Sequence, residues 1–129
     1  MQLESLSYQI RGAIFEVFKE LGPGLLESVY EAALMKEFEL VGIAAKSQIA
    51  LPVNYKGRFL ELGFRIDILV DEKIIIEIKS VKELEDVHKK QLLTYLKLSG
   101  IELGFLVNFN TTFLQDKTSI IRIVNNYKE

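Results

Sequence analysis

Two acidic residues and a lysine on neighbouring strand-like segments are the side chains best suited to chemistry. Asp67 belongs to an alternating apolar run that ends at Val70, and Glu77 and Lys79 belong to the run that begins at Ile74. Successive side chains of an extended strand point to opposite faces. Because the even positions of both runs are apolar, Asp67, Glu77 and Lys79 are predicted to share the other face.

The short segment Asp71–Lys73 between the two runs determines which residues face each other. If the residues that flank this three-residue turn pair, Asp67 lies opposite Glu77 and Arg65 lies opposite Lys79. Like charges opposed at a Cβ separation of about 4.5 to 5.5 Å are destabilising. A divalent cation between the carboxylates would compensate, with Lys79 close to a metal-bound water or a phosphate oxygen.

An exposed polar face with diagonal salt bridges among these four side chains is the alternative. Pairing geometry alone does not separate the two interpretations, partly because the turn lacks the Gly or Asn that a three-residue hairpin prefers.

Glu27 is a third candidate carboxylate, in a predicted helix. Leu34 and Phe38 lie seven and eleven positions beyond it, so the three share one line on the apolar stripe. A carboxylate that faces inward is costly unless it is paired or bound to metal. The alternative is a first-turn glutamate that the helix dipole stabilises, and both roles are compatible. We expect Glu27 to point into the cleft of Asp67 and Glu77.

A later helical segment places His88, Gln91 and Tyr95 on one face, three and four positions apart. His88 is the only histidine, and it fits the solvated edge of the apolar stripe better than a ligand position. Gln91 and Tyr95 suggest a function only if a site lies next to them.

The elements that must position these residues follow from apolar periodicity. Two helices are predicted over residues 3–21 and 26–41, each ending at a glycine. Three meandering strands follow, the first on an edge because it contains Pro52. The predicted order is ααβββαββ, with strands at 49–55, 60–70 and 74–78, a helix at 84–99, and strands at 103–109 and 119–124.

Composition narrows the function classes. A chain of 129 residues with 49% hydrophobic content is expected to form a single domain over residues 1–129. The lack of cysteine excludes disulfides and thiolate metal sites within this sequence, and together with the lack of a signal-like or membrane-spanning segment it predicts a cytoplasmic protein with no membrane partner. The net charge of −2 argues against coating nucleic acid by bulk positive charge, so phosphate contacts must be local.

Four motifs in this order resemble the PD-(D/E)XK nuclease superfamily, and within it the small GxxExxY proteins. The segment Gly24–Tyr30 fits the GxxExxY motif, and Asp67 with Glu77–Lys79 fits the superfamily signature. Gln91 and Tyr95 fit the QxxxY motif of RecB-like members. The residue before Asp67 is isoleucine where proline is common in the superfamily.

The resemblance implies a restriction-endonuclease-like α/β fold, in which helices flank a central mixed β-sheet. It further implies that Asp67 and Glu77 bind the metal, with the Ile78 carbonyl and Glu27 as additional ligands. Lys79 would then position or activate the attacking water.

The same resemblance implies that Gln91 and Tyr95 buttress the site or contact substrate phosphate. The implied activity is hydrolysis of phosphodiester bonds in DNA, and an all-oxygen ligand set favours Mg²⁺ or Mn²⁺ over Zn²⁺. RNA or a nucleotide remains open as substrate, and a homo-oligomer or a partner protein would supply further substrate surface. The alternative from another class is a non-catalytic module that binds nucleic acid or protein and retains the fold.

Overall fold

The computed structural model describes residues 1–125, apart from the side chains of residues 61–63. The predicted alternation at residues 61–63 and the last four residues of the predicted domain lie outside this part. The described residues form three helices and a five-stranded sheet in the predicted order. The elements are α1 (Leu3–Leu21), α2 (Glu27–Val41), β1 (Ala45–Tyr55), β2 (Arg58–Val70), β3 (Ile74–Lys79), α3 (Asp86–Ser99), β4 (Leu103–Asn108) and β5 (Ile120–Val124).

The sheet is mixed, as predicted. Its strands lie in the order β1-β2-β3-β4-β5, with β3 and β4 parallel and the other neighbours antiparallel. Helix α3 supplies the long crossover that two parallel strands require. Pro52 lies on the edge strand β1, as predicted, and the register of β1 shifts between Leu51 and Val53. None of the helices within residues 1–125 is both long and apolar enough to cross a bilayer.

Helices cover both faces of the sheet, which confirms the α/β class. On one face, the apolar stripes of α1 and α2 pack on the even positions of β3, and the largest cluster of buried side chains lies there. On the other face, Leu92, Tyr95 and Leu96 of α3 pack on Ile75 and Leu106.

Some element boundaries differ from the prediction because capping and backbone pairing extend beyond the apolar pattern. β1 begins at Ala45 and β2 at Arg58, earlier than alternation indicated. Helix α3 begins at Asp86, where Glu85 and His88 form a capping box and the Glu85 backbone N–H donates to His88 Nδ1 at 2.9 Å. His88 therefore fixes the start of α3.

The paired strands β1 and β2 change faces at Gln48 and Asp67, which the sequence analysis did not predict. Ile68 packs in the cluster under α1 and α2, whereas Ile66 packs in the cluster under α3. Gln48 lies between the β1 residues that pair with Ile68 and Ile66, and its φ of +53° departs from extended backbone. The prediction that the even positions of β2 share one face is therefore wrong, because β1 and β2 turn together at Gln48 and Asp67.

Candidate active site

The turn between β2 and β3 has the predicted register. Val70 pairs with Ile74, and the described ladder continues as far as the pair Ile68 and Ile76. Asp71 and Glu72 both adopt positive φ, the conformation for which such turns prefer Gly or Asn.

Beyond Ile68, side-chain carboxylates replace the backbone acceptors of the ladder. The Asp67 backbone N–H donates to Glu77 Oε2 at 2.9 Å, and the Ile78 backbone N–H donates to Asp67 Oδ2 at 2.7 Å. We call this group, Asp67 of β2 with residues 77–79 of β3, the fork. Each acidic side chain therefore accepts a hydrogen bond from the backbone of the opposite strand, so Asp67 and Glu77 are cross-strand neighbours.

The second predicted like-charged pair does not form. The paired residues of β2 and β3 stop before Arg65 and Lys79, and Lys79 pairs in register with Asn108 of β4 instead. The Arg65 guanidinium donates to the Gln48 carbonyl at 3.1 Å. The prediction of Arg65 opposite Lys79 is wrong because β2 bends away from β3 at Asp67.

Both acidic groups of the fork ionise less readily than free carboxyl groups do. The Glu77 side chain is only 4% exposed, and burial raises its pKa from 4.5 to about 8, with the charge of Asp67 adding to the effect. Burial also raises the pKa of Asp67, whereas the Ile78 N–H and the Lys79 charge lower it. Lys79 therefore lies near enough to both carboxyl groups to offset part of their repulsion.

Glu27 stands at the start of α2, beside the fork. Its Oε2 accepts a hydrogen bond from the Ser80 backbone N–H at 3.1 Å, and its charge raises the pKa of both Asp67 and Glu77. Its side chain is exposed and does not enter the core, so the expected place on the apolar stripe is wrong. The reason is its position in the first helical turn, at the edge of the packed face.

Tyr30 locks the loop that precedes Glu27. Its hydroxyl donates to the Gly22 carbonyl at 2.6 Å and accepts from the Leu25 N–H at 3.1 Å. Its ring stacks on Phe109, just beyond β4, with 4.2 Å between centroids. Gly24 has a φ of +97°, a conformation that favours glycine. The motif Gly24–Tyr30 thus holds a tight loop against the end of the sheet.

Two polar residues beside the fork escaped the sequence analysis. Gln48 Nε2 donates to Glu31 Oε1 at 2.7 Å and reaches Asp67 Oδ1 at 3.5 Å. Burial raises the pKa of Glu31, and the charge of Asp67 adds to this effect. Glu31 follows Glu27 by one helical turn, and that spacing could have identified it. Gln48 gave no such signal because its place depends on the bend in β1.

Asn108 fixes the chain directly after Lys79. This buried side chain accepts from the Val81 N–H at 3.0 Å and donates to the Val81 carbonyl at 2.9 Å. It saturates both backbone groups of Val81 and so orders the exit from β3.

The structure brings Tyr95 to the fork but not Gln91. Tyr95 is buried against Phe64, with 4.8 Å between ring centroids. Burial raises the pKa of Tyr95, and the charges of Glu77 and Asp67 raise it further, so the phenol lies near both. Gln91 is exposed one helical turn earlier, and no hydrogen bond recorded within residues 1–125 joins it to the fork.

The donor set of the fork fits a hard divalent cation. Within residues 1–125, no three acidic or histidine side chains converge closely enough to hold a metal ion by themselves. Mg²⁺, however, is commonly held by one or two carboxylates together with water and substrate phosphates. Asp67 and Glu77 offer carboxylate oxygens of the kind that such an ion prefers.

Comparison with known proteins gave one result. No curated protein and no solved structure matches the chain. The sequence model of the PD-(D/E)XK nuclease superfamily matches residues 4–123, which is nearly the whole chain. The mixed sheet between helical layers is consistent with that fold. The chain therefore belongs to the PD-(D/E)XK nuclease superfamily.

Proposed function

We propose that this protein is a divalent-metal-dependent nuclease that hydrolyses phosphodiester bonds in DNA. The observation that carries the proposal is the contact of Asp67 and Glu77 in the fork, with Lys79 beside them. Membership of a nuclease superfamily supports the reaction class. The GxxExxY group is the subfamily that we propose, on the motif Gly24–Tyr30.

In this proposal Asp67, Glu77 and the Ile78 carbonyl hold Mg²⁺ or Mn²⁺, and Glu27 adds negative charge or a further ligand. A divalent ion held there would supply polarisation of the phosphoryl oxygen and a lowered pKa for a coordinated water. Lys79 follows Glu77 by two positions on the same face of β3, where its ammonium complements charge that develops on the phosphate.

Tyr95 and Gln91 take different roles in the proposed site. Tyr95 is buried beside Glu77 and Asp67, so it buttresses the acidic pair. Gln91 is exposed on the same helix, where its side chain would contact a substrate phosphate.

The test is a cleavage assay on single-stranded DNA, double-stranded DNA and RNA with Mg²⁺, Mn²⁺ or a chelator. We expect metal-dependent cleavage of DNA, and a loss of about 10²- to 10³-fold in Lys79→Ala, the cost of removing one charge-stabilising donor. Lys82→Ala is the matched control, because this exposed lysine lies three positions beyond Lys79. Equal cleavage by wild type and Lys79→Ala would reject the proposed role of Lys79.

A non-catalytic nucleic-acid-binding or protein-interaction module is the second candidate. The observation that favours it is that Asp67 Oδ2 and Glu77 Oε2 already accept backbone hydrogen bonds, an arrangement that a purely structural site would also have. Nucleic-acid binding without metal-dependent cleavage of any of the three substrates would establish this function instead.

A further inference from the structure

The pairing of β1 with β2 continues beyond the point where β2 stops pairing with β3. β2 pairs with β3 only between Ile68 and Val70, whereas its pairing with β1 continues to Tyr55 and Arg58 at the tip. We call residues 49–66 the hairpin arm. At about 3.3 Å per residue, the stretch from Asp67 to Phe59 spans roughly 26 Å. The arm therefore begins at the fork and reaches well beyond it.

The tip of the arm exposes aromatic rings on both faces of the ribbon. Tyr55 pairs with Arg58 and Asn54 pairs with Phe59, so the two rings stand on opposite faces. Tyr55 is 58% exposed and Phe59 is 68% exposed. Single exposed apolar residues are ordinary, but two large rings at the end of a two-stranded ribbon form a contact element.

Positive charge accompanies the rings. The sequence of the arm contains Lys56, Arg58 and Arg65 against one acidic residue, Glu61, which gives a formal charge of +2 in a chain of net charge −2. Lys56 Nζ lies 5.4 Å from the centre of the Tyr55 ring. A cation and an aromatic ring side by side match a phosphate and its adjacent base.

Two polar side chains of the arm already have hydrogen-bond partners within the protein. Asn54 Oδ1 accepts from the Gly57 N–H at 3.1 Å, and the Arg65 guanidinium donates to the Gln48 carbonyl. The exposed tip presents the rings of Tyr55 and Phe59 and the cations of Lys56 and Arg58. Rings contact the faces of bases, which are accessible in single strands and stacked away in a duplex.

We propose that the hairpin arm binds a single-stranded segment of nucleic acid, with bases against Tyr55 and Phe59 and phosphates against Lys56 and Arg58, and leads that strand to the fork. This inference rests on the proposed function for the nature of the ligand. It makes the substrate of the site a single strand or a duplex with a single-stranded end.

The experiment measures binding by fluorescence anisotropy, in a chelator, with a labelled oligothymidylate of about 16 nucleotides and a blunt duplex of the same length. We expect wild type to prefer the single strand, and Tyr55→Ala with Phe59→Ala to weaken binding about tenfold or more. Tyr8→Ala with Phe113→Ala is the matched control, because these rings are 76% and 62% exposed on other parts of the protein. The control pair should bind as wild type does.

A second pair of variants tests the phosphate contacts. Lys56→Gln with Arg58→Gln should reduce the slope of log affinity against log salt by about 1.4, which corresponds to two lost contacts with a single strand. Lys19→Gln with Lys36→Gln, both exposed on helices, should leave the slope unchanged. Melting temperatures will show whether the ring variants fold. If they do not, the Lys56→Gln and Arg58→Gln variant still tests the inference.

Three results would overturn the inference: no preference for the single strand, unchanged binding by both pairs of arm variants, or an arm-dependent change of oligomeric state without a change in binding. The last result would make the arm an interface with a second copy. Binding through the arm without metal-dependent cleavage would refute the proposed nuclease activity alone. Cleavage of DNA together with unchanged binding by the arm variants would refute the arm alone.

Discussion

Asp67 and Glu77 hold each other's strands: the Asp67 N–H donates to Glu77 Oε2 at 2.9 Å, and Asp67 Oδ2 accepts from the N–H of the residue after Glu77 at 2.7 Å. The same oxygens that would bind a cation therefore also close the gap between β2 and β3. An amide in place of either acid keeps an acceptor oxygen and removes the charge. Acid-to-amide variants thus separate the structural role of the pair from its electrostatic role.

We expect Asp67→Asn to abolish metal binding and cleavage while the metal-free protein remains as stable as wild type or becomes more stable. The asparagine oxygen can still accept from Ile78, and the repulsion with Glu77 is relieved. Wild type should melt at a higher temperature with Mg²⁺ or Mn²⁺, because an ion that binds only the folded chain stabilises it. The measurement is the melting temperature of both proteins with and without metal.

Asp71→Asn, in the turn before β3, is the control and should retain the metal-dependent shift. A wild type without any such shift, together with an Asp67→Asn variant that melts several degrees lower, would show that the role of Asp67 is only structural.

Stability should depend on pH through Glu77. The pKa of its carboxyl group is raised from 4.5 to about 8, so the folded protein binds this proton more tightly than the unfolded chain does. The stabilisation is complete below about pH 4.5 and is lost as pH rises toward 8. The free energy of unfolding, measured by urea denaturation across this range, should contain a falling component that Glu77→Gln removes. Mg²⁺ competes with the proton, so its affinity for wild type should rise with pH up to about 8.

Glu27 can be tested by two substitutions that differ in hydrogen bonding. Glu27→Gln keeps an acceptor for the Ser80 N–H, whereas Glu27→Ala removes it and should cost about 1 kcal/mol of unfolding free energy. If Glu27 contributes to the metal site, both variants should weaken Mg²⁺ binding measured by calorimetry. Unchanged Mg²⁺ affinity in Glu27→Gln would limit Glu27 to anchoring Ser80.

The turn before β3 stores backbone strain at Glu72, whose φ is +56°. Glu72→Gly and Glu72→Ala both remove the exposed ion pair with Lys46, but only glycine relieves the left-handed conformation. Glu72→Gly should therefore be more stable than Glu72→Ala by about 1 kcal/mol in chemical denaturation. Equal stability of the two variants would contradict the assigned backbone conformation.

The register of the fork could be predicted from sequence because period-two patterns leave little freedom. A slip of one residue would turn the apolar set of β3 toward the wrong layer, so Val70 had to meet Ile74 across the short turn. The contact of Asp67 with Glu77 follows directly from that pairing. The element order was similarly accessible, since long periodic segments ended at glycines.

The bend at Asp67 could not be predicted in the same way. Apolar residues occupy even positions on both sides of it, such as Ile66 and Ile68, and alternation does not show which helical layer covers each face. The loss of the pair Arg65 with Lys79 and the gain of Gln48 beside Asp67 both follow from this bend. Contacts that depend on how strands bend in the folded protein cannot be identified from apolar periodicity in the sequence.

The segment after Lys79 is held from two sides, by Glu27 at Ser80 and by Asn108 at Val81. These two anchors act as a register lock, because β3 cannot slide along either neighbour without breaking them. A slide of one residue would exchange the faces of Glu77 and Ile78. The acidic side chain would then occupy the isoleucine's place in the apolar layer. An added residue inside β3 should therefore destroy the site, whereas one added after Val81, beyond the lock, should leave the acidic pair in place.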